Sequence, residues 1–239
     1  MGRAFEVRKA SMMKTGLAKA KIYTRHSREI YLAAKNGSPD PEANLNLKRA
    51  IDRAKKDQVP ADIIKRAIDK VASGGGEDLR HKRYEGFGPS GSTILVDCLT
   101  DNDNRTISEV KNCFTKTSNN LGVAGAVAHL YEHIGVILVK DKTEDDILEL
   151  LMDNDMDAKE IEQEEDLVSI TTDVPSFLSV KQLIQDTYGE ESIDTEEITW
   201  VTQTEVELAG DDLESFQKLL DMLNEVDDVQ NIYHNVTNI

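Results

Sequence analysis

The amino-acid sequence predicts an α+β protein with a helical N-terminal domain, followed by a region in which strands and helices alternate. Two observations lead to this prediction. Apolar residues recur every three or four positions within residues 22–73, which is the period of an amphipathic helix. From residue 94 onward, short apolar runs typical of strands alternate with segments of helical period. Gly74, Gly75 and Gly76 separate the two parts, so we expect a flexible joint there.

Three helices are predicted in the N-terminal part. The first covers residues 22–35 and ends at Asn36-Gly37, a typical helix stop. In the second helix, Asp40 is the expected N-cap and Pro41 the first helical residue. Pro60 opens the third helix. The predicted buried faces of the second and third helices hold Leu47, Ala50, Ile51, Ala54, Ile64, Ala67, Ile68 and Val71.

The elements expected after the glycine joint follow from local patterns. The residues Thr106-Ile107-Ser108-Glu109 have the form of a capping box, which predicts a helix start at Thr106. The predicted strands are Ile94–Thr100, Ala126–Glu132, Val136–Lys140, Ala158–Glu162, Leu167–Thr172, Glu197–Val201, Glu205–Leu208 and Val229–Val236. The predicted helices are Thr106–Lys116, Thr143–Asn154, Pro175–Tyr188 and Asp211–Glu225.

The order of these elements predicts the domain arrangement. Residues 134–203 read as βαββαβ, the ferredoxin-like order, and the flanking pieces together form a second βαββαβ set. We therefore expect an N-terminal helical bundle plus two ferredoxin-like βαββαβ domains, the third domain inserted into the second. One large mixed sheet is the alternative. The expected boundaries are 1–21 for a basic N-terminal arm, 22–76 for the helical domain, 77–133 with 204–239 for the discontinuous α+β domain, and 134–203 for the inserted domain.

Charge is divided between the two ends of the chain. Residues 1–83 hold 20 of the 28 Lys and Arg residues but only 10 of the 45 Asp and Glu residues, so residues 84–239 carry 8 basic and 35 acidic side chains. The net charge of −17 therefore hides a basic first third. This asymmetry predicts a polyanionic partner such as nucleic acid, held at one end only. A soluble protein with basic helices is the alternative.

The positive charges of the first third are arranged so that they can contact the phosphates of a nucleic-acid backbone. Two basic stripes lie opposite the predicted apolar helix faces, the first made of Arg49, Arg53 and Lys56 and the second of Lys65, Arg66 and Lys70. Arg25 adds a cation in the first helix. A solvated helix face is the alternative for each stripe taken alone. The predicted arm sets six cations against the single acid Glu6: Arg3, Arg8, Lys9, Lys14, Lys19 and Lys21.

Base-specific reading of DNA is poorly supported by the residues. The turn Asp57-Gln58-Val59-Pro60 is compatible with a helix-turn-helix. However, Pro60, Ala61 and Asp62 would stand at the base-reading end of the second helix, where Arg, Asn or Gln is expected. The predicted strands also lack the exposed aromatic and basic residues on which RNA-recognition modules stack bases. Contacts to phosphates and to the shape of DNA or RNA are the better expectation.

Motifs of cofactor, metal and catalytic sites are weak. Residues 86–91 match GxGxxG, but they precede a strand, whereas a dinucleotide fingerprint follows one. Residues 101–104 resemble the start of a calcium loop, but Arg105 and Thr106 replace the third ligand and the glycine. His129 and His133 fall in a predicted strand, too far apart for one metal. We predict no cofactor, no metal site, no small-molecule substrate and no enzymatic activity.

The sequence is typical of a cytoplasmic protein. No segment approaches the run of about 20 apolar residues that spans a bilayer, and the N-terminus lacks the apolar centre of a secretory signal. Cys98 and Cys113 lie in a predicted strand and a predicted helix, so we interpret them as reduced core residues. We therefore expect no membrane partner.

Four stretches of the chain together resemble the YebC family, which includes the mitochondrial translational activator of cytochrome c oxidase subunit I. They are Asp40–Asn44, Arg83–Pro89, Thr100–Thr106 and Asp228–Asn235. They extend over most of the chain, and their combination is highly specific. The start departs from the commonest family pattern, a His-Ser-Lys-Trp segment, because residues 2–9 read GRAFEVRK.

The resemblance implies a cytoplasmic protein of three domains, and it implies two functions. Some family members are described as probable transcriptional regulators that bind DNA. Others act in translation on the ribosome, helping synthesis through stretches such as proline runs. For the second function, the arm and Arg105 are expected to contact ribosomal RNA. Both functions use the basic end, so we predict nucleic-acid-binding regulation of gene expression, on duplex DNA or on ribosomal RNA and the ribosome.

Overall fold

The computed structural model describes residues 19–72, 78–164, 166–202 and 204–239. The chain divides into two compact units. Among the described residues, the first unit contains 19–126 and 209–232, and the second unit contains 127–208 and 233–239. Within the described ranges, no helix combines the length and the apolar character needed to cross a membrane.

The described elements form an α+β protein with two four-stranded antiparallel sheets. The helices are α1 (Lys19–Lys35), α2 (Leu45–Lys56), α3 (Ala61–Ala72), α4 (Asp103–Lys116), α5 (Glu144–Asp153), α6 (Val174–Tyr188) and α7 (Gly210–Glu225). The strands are β1 (Arg80–Phe87), β2 (Thr93–Thr100), β3 (Asn120–Leu121), β4 (Tyr131–Lys140), β5 (Glu160–Glu164), β6 (Leu167–Asp173), β7 (Ile193–Thr202) and β8 (Val229–His234).

The three N-terminal helices pack around a common apolar core, which confirms the helical prediction for this part. The predicted buried face of α2 is buried in full, and Ile64 and Ala67 of α3 face the same core. Ile30 and Ala34 supply the contacts from α1. Burying apolar side chains contributes about 25 cal/mol per Å² removed from water, so this shared core holds the three short helices together.

The start of α2 differs from the prediction. The helix begins at Leu45, with Asn44 as its N-cap, and not at Asp40-Pro41. The Asn44 side-chain oxygen accepts a hydrogen bond from the Leu47 amide at 3.1 Å, and its side-chain nitrogen donates to the carbonyl of Ala33 at 2.9 Å. Asn44 therefore both caps α2 and ties it to the end of α1, which an Asp at position 40 cannot do.

The sheet of the first unit has the strand order β3-β1-β2-β8. Its central strand β1 was missed by the sequence analysis, because its residues RHKRYEGF do not show a clear alternation of apolar and polar side chains. Pairing with β2 explains why this polar strand forms. Arg83 lies opposite Asp97 in the ladder, and its guanidinium donates two hydrogen bonds to that carboxylate, at 2.5 and 2.8 Å.

The sheet of the second unit has the order β5-β6-β4-β7, with every neighbouring pair antiparallel. A core made by α5, α6 and one face of the sheet contains Ile137, Ile147 and Ile184, all fully buried. Gly135 of β4 allows the close approach of α6, because a Cβ atom at this position would lie 2.3 Å from the ring of Phe177. The helices therefore cover one face of the sheet.

Two predicted strands beside this sheet are wrong. The range Ala126–Glu132 is not a strand: Ala128–Leu130 forms a 3-10 helix, and β4 then runs without a break from Tyr131. His129 therefore lies outside the strand that contains His133. The range Glu205–Leu208 makes only a single bridge, between Val206 and Val236. The first segment is largely apolar and the second alternates Glu with apolar residues, and neither local pattern separates a short connection from a strand.

Candidate nucleic-acid interface

The two basic stripes lie on the outer faces of α2 and α3. Because Leu47, Ala50, Ile51 and Ala54 bury the inner face of α2, the residues between them point outward. Arg49 is half-buried, and the other five stripe residues are exposed: Arg53, Lys56, Lys65, Arg66 and Lys70.

In the described ion pairs of the stripes the cations are exposed, and of their partners Asp62 is exposed and Glu29 half-buried. Arg53 lies 3.6 Å from the carboxylate of Glu29, and Arg66 contacts Asp62 one turn earlier in α3. Exposed pairs of this kind contribute roughly 0 to 1 kcal/mol, because water screens them and both side chains lose conformational freedom. A phosphate can therefore replace the Asp62 carboxylate at small cost.

The cations of α1 have a different environment. Lys21 donates to the carbonyl of Val226 at 3.3 Å, and Arg25 donates to the side-chain oxygen of Asn231 at 2.9 Å. Desolvation by burial lowers the pKa of the Lys21 ammonium. Both residues were predicted to contact nucleic acid, whereas in the structure Lys21 fastens α1 to the connection between α7 and β8, and Arg25 fastens it to β8.

Arg28 completes this row on α1, seven residues after Lys21, and was missed by the sequence analysis. Its guanidinium donates to the carbonyl of Asp227 at 2.7 Å and to the carboxylate of Asp228 at 3.0 Å. Lys21, Arg25 and Arg28 are spaced four and three residues apart, so they share one face of the helix. The sequence shows this spacing, but it does not show which segment of the chain packs against this face of α1.

Asp228 is the centre of a buried polar cluster, and only 1% of its side chain is exposed. Besides Arg28, its carboxylate accepts hydrogen bonds from the Arg105 guanidinium at 2.8 Å, from the Thr106 hydroxyl at 2.7 Å and from the Thr100 hydroxyl at 3.2 Å. Burial acts to raise the pKa of Asp228, but the hydrogen bonds from Arg105 and Thr106 and the positive charge of Arg28 lower it overall. The buried carboxylate is therefore ionised and satisfied.

Arg105 is held by this cluster from the first turn of α4. Its guanidinium also donates to Asp101 at 2.8 Å, and its hydrogen bonds to Asp228 and Asp101 raise its pKa. The predicted helix start at Thr106 is wrong, because Asn102 is the N-cap and accepts from the Arg105 amide at 3.1 Å. Thr106 lies one turn inside α4, where it reaches Asp228.

The turn between α2 and α3 lies where the sequence predicted it. Gln58 adopts a positive φ of 57° in this turn, and α3 then begins at Ala61. The only charged side chain in the first turn of α3 is Asp62. The residue types required for hydrogen bonds to base edges are therefore missing from the N-terminal turn of α3.

Part of the predicted interface lies outside the described residues. This holds for Arg3, Arg8, Lys9 and Lys14, and for the glycine joint at residues 74–76. Lys19 is the first residue of α1. For the described stripe residues, the structure gives position and exposure, and their contact with nucleic acid stays a prediction.

These features define a class: an α+β protein in which a three-helix bundle with cationic outer faces is joined to an antiparallel sheet through the contact of Arg28 with the buried Asp228. Comparison with known families places the chain more narrowly. Residues 3–74 match the TACO1/YebC protein N-terminal domain, and residues 79–236 match the TACO1/YebC second and third domain. The chain belongs to the TACO1/YebC family, as the sequence analysis predicted.

Similar proteins extend over nearly the whole chain. A probable transcriptional regulatory protein of Pseudoalteromonas atlantica is 50% identical over 98% of this chain and 97% of its own length. One from Vibrio campbellii, with the same description, is 49% identical over 98% of this chain and 99% of its own. The crystal structure of a conserved hypothetical protein, Aq1575, from Aquifex aeolicus has a TM-score of 0.74 and 34% identity, covering 91% of this chain and 90% of that chain.

Proposed function

We propose that this protein is a nucleic-acid-binding regulator of gene expression, and specifically a DNA-binding transcriptional regulatory protein of the YebC type. The observation that carries the proposal is the pair of basic stripes on the outer faces of α2 and α3, in a chain of net charge −17. Outward-facing cations gathered on one small domain of an acidic protein are typical of contact with a polyanion, because binding releases the counterions of the phosphates. The description of the relatives as probable transcriptional regulatory proteins supports this proposal.

A second candidate function is that of a ribosome-associated translation factor, which binds ribosomal RNA and relieves stalling, for example at proline runs. The start of α3 favours it, since Ala61 and Asp62 offer no side chain that reads a base edge by a bidentate hydrogen bond. Recognition through phosphates and shape suits folded RNA as well as duplex DNA. In both candidates the basic helical domain makes the contact, and neither requires a cofactor, a membrane or a small-molecule substrate.

The finer features of the fold belong to the same proposal. We infer three domains, with residues 134–203 inserted between 77–133 and 204–239, in a cytoplasmic protein. The strand order β5-β6-β4-β7, with its two helices on one face, supports a ferredoxin-like assignment for the inserted domain. The assignment of the discontinuous domain to the same fold rests on the predicted order of its elements alone, because its described elements run β1-β2-α4-β3 and then α7-β8.

The two candidate functions are separated by the nucleic acid that the protein holds in cells. We expect ultraviolet crosslinking, followed by purification and sequencing of the attached nucleic acid, to recover a limited set of duplex DNA regions. Predominant recovery of ribosomal RNA, with co-sedimentation of the protein with ribosomes at low salt, would contradict the DNA assignment and support the translation factor. Recovery of neither above the level of an uncrosslinked sample would contradict nucleic-acid binding altogether.

A further inference from the structure

A groove of about 570 Å³ runs between α1 and α3 within the first unit. Tyr23, Ser27 and Tyr31 line it from α1, where they lie four residues apart on one face. Arg66 and Lys70 line it from α3, also four residues apart. The volume is in the range of pockets that bind small organic groups, about 300 to 1,000 Å³. The groove is therefore large enough for one nucleotide.

The chemistry of this groove differs from that of the chain as a whole. Asp and Glu outnumber Lys and Arg by 45 to 28 in the sequence, yet none of the described residues that line the groove is Asp or Glu. Arg66 and Lys70 are cationic, as is Arg28, whose guanidinium is bound to the Asp228 carboxylate. Cations beside aromatic rings are the combination that proteins use to hold single-stranded nucleic acid.

The two tyrosines have different roles. Tyr31 is 5% exposed, and the ammonium groups of Lys70 and Lys35 lie over its ring at 5.5 and 5.9 Å from the centroid. Its ring therefore helps to position Lys70 at the edge of the groove. Tyr23 is half-buried and rests on the core of the helical bundle, so part of its ring is accessible within the groove.

We propose that this groove binds one unpaired nucleotide of a nucleic-acid strand. The base stacks on Tyr23, the Ser27 hydroxyl forms a hydrogen bond with the nucleotide, and Arg66 and Lys70 contact the phosphates on either side. The proposal rests on the proposed nucleic-acid binding and deepens it, because it names the form of the ligand. A paired base in a duplex is covered on both faces by its neighbours and does not reach this ring.

The existing contact of Arg66 does not oppose such binding. Its partner Asp62 is exposed, so their ion pair contributes roughly 0 to 1 kcal/mol, and only one guanidinium nitrogen donates to the Asp62 carboxylate, whereas a phosphate can accept two parallel hydrogen bonds from the guanidinium. Ile63 and Ala67 also line the groove from α3, so the two cations have apolar neighbours. We expect the base to lie against this apolar lining, with its phosphates at the two cations.

The test measures binding of fluorescent oligonucleotides of equal length by anisotropy. The ligands are a mixed-sequence RNA strand, the DNA strand of the same sequence, its duplex, and an abasic DNA strand that keeps the phosphates but lacks the bases. The variants are Tyr23→Leu, which keeps an apolar contact with the core, and Tyr23→Phe, which keeps the aromatic ring. Arg66→Gln tests the phosphate contact, and Lys48→Gln, an exposed cation of α2 outside the groove, is its control.

We expect Tyr23→Leu to weaken binding of both normal single strands roughly five- to tenfold, the scale of one lost stacking contact, and Tyr23→Phe to bind like the unmodified protein. The abasic strand should bind the unmodified protein and Tyr23→Leu equally. Arg66→Gln should weaken the binding of every ligand that enters the groove, and Lys48→Gln should weaken it less. Tighter binding of RNA than of DNA would assign the nucleotide to RNA, and the reverse would assign it to a melted DNA strand.

Three results would overturn the proposal: unchanged affinity in Tyr23→Leu for the normal single strands, an equal loss in Tyr23→Leu for the abasic strand, or an equal loss in Tyr23→Leu for the duplex. In each of these cases nucleic-acid binding through the stripes still stands. Absence of binding to every ligand at low salt would instead contradict the proposed function itself. Circular dichroism of each variant shows whether the helices are retained, so that a folding defect is recognised as such.

Discussion

Replacing Asp228 with alanine is expected to lower the free energy of unfolding by about 3 kcal/mol, because it leaves two guanidinium groups without their common buried partner. Asp228 is 1% exposed and accepts hydrogen bonds from Arg28 on α1 and Arg105 on α4. It therefore joins the helical bundle to the sheet of the first unit. Urea unfolding followed by far-ultraviolet circular dichroism measures the loss as a lower midpoint.

Asp101 provides a matched control for this variant. Its carboxylate accepts from the same Arg105 guanidinium, also at 2.8 Å, but its side chain is 38% exposed. Because water replaces an exposed carboxylate, Asp101→Ala should cost less than about 1 kcal/mol. Equal effects of Asp101→Ala and Asp228→Ala would show that burial of the cluster contributes nothing, which contradicts the role given to Asp228.

Neutralising both basic stripes is expected to lower the affinity for nucleic acid at least about a hundredfold at roughly 0.1 M salt, since each lost phosphate contact removes a released counterion. The variant replaces six residues with glutamine: Arg49, Arg53, Lys56, Lys65, Arg66 and Lys70. The logarithm of the binding constant should also fall less steeply with the logarithm of salt concentration. Stability should change little, because five of the six side chains are exposed.

A change in net charge by itself also weakens binding, so this prediction needs a charge-matched pair of variants. Glutamine at Arg49, Arg53 and Lys56 removes three cations from α2. Glutamine at Lys111, Lys116 and Lys218, which are exposed cations of the first unit outside the helical bundle, removes the same charge elsewhere. The α2 variant should bind much more weakly than the second variant, and equal affinities would mean that only the net charge matters.

The sequence predicted best what depends on local pattern. The apolar face of α2 follows from helical spacing alone, and the structure buries that face in full. The basic stripes followed from the same spacing, because the side opposite a buried face is exposed. The start of α2 was misplaced, since both Asp40-Pro41 and Asn44 are acceptable starts locally. The difference is made by the contact of Asn44 with Ala33, which belongs to another helix.

Contacts between distant parts of the chain were not predictable from these patterns. Arg105 and Asp228 are 123 residues apart, and Arg28 and Asp228 are 200 residues apart, so no spacing rule connects them. Arg105 was therefore predicted to contact RNA. One signal was present: both Arg105 and Asp228 lie in the stretches that resemble the YebC family. Similarly, β1 is stabilised by its pairing with β2, and its own residues do not alternate clearly.

The central claim is that the helical N-terminal domain, and not the second unit, contacts nucleic acid. It is tested most directly by photocrosslinking the full-length protein to nucleic acid in cells and identifying the crosslinked peptides by mass spectrometry. The structure predicts adducts within residues 19–72, concentrated on the outer faces of α2 and α3 and at Tyr23. Adducts confined to residues 127–208 and 233–239, with none in residues 19–72, would contradict the claim.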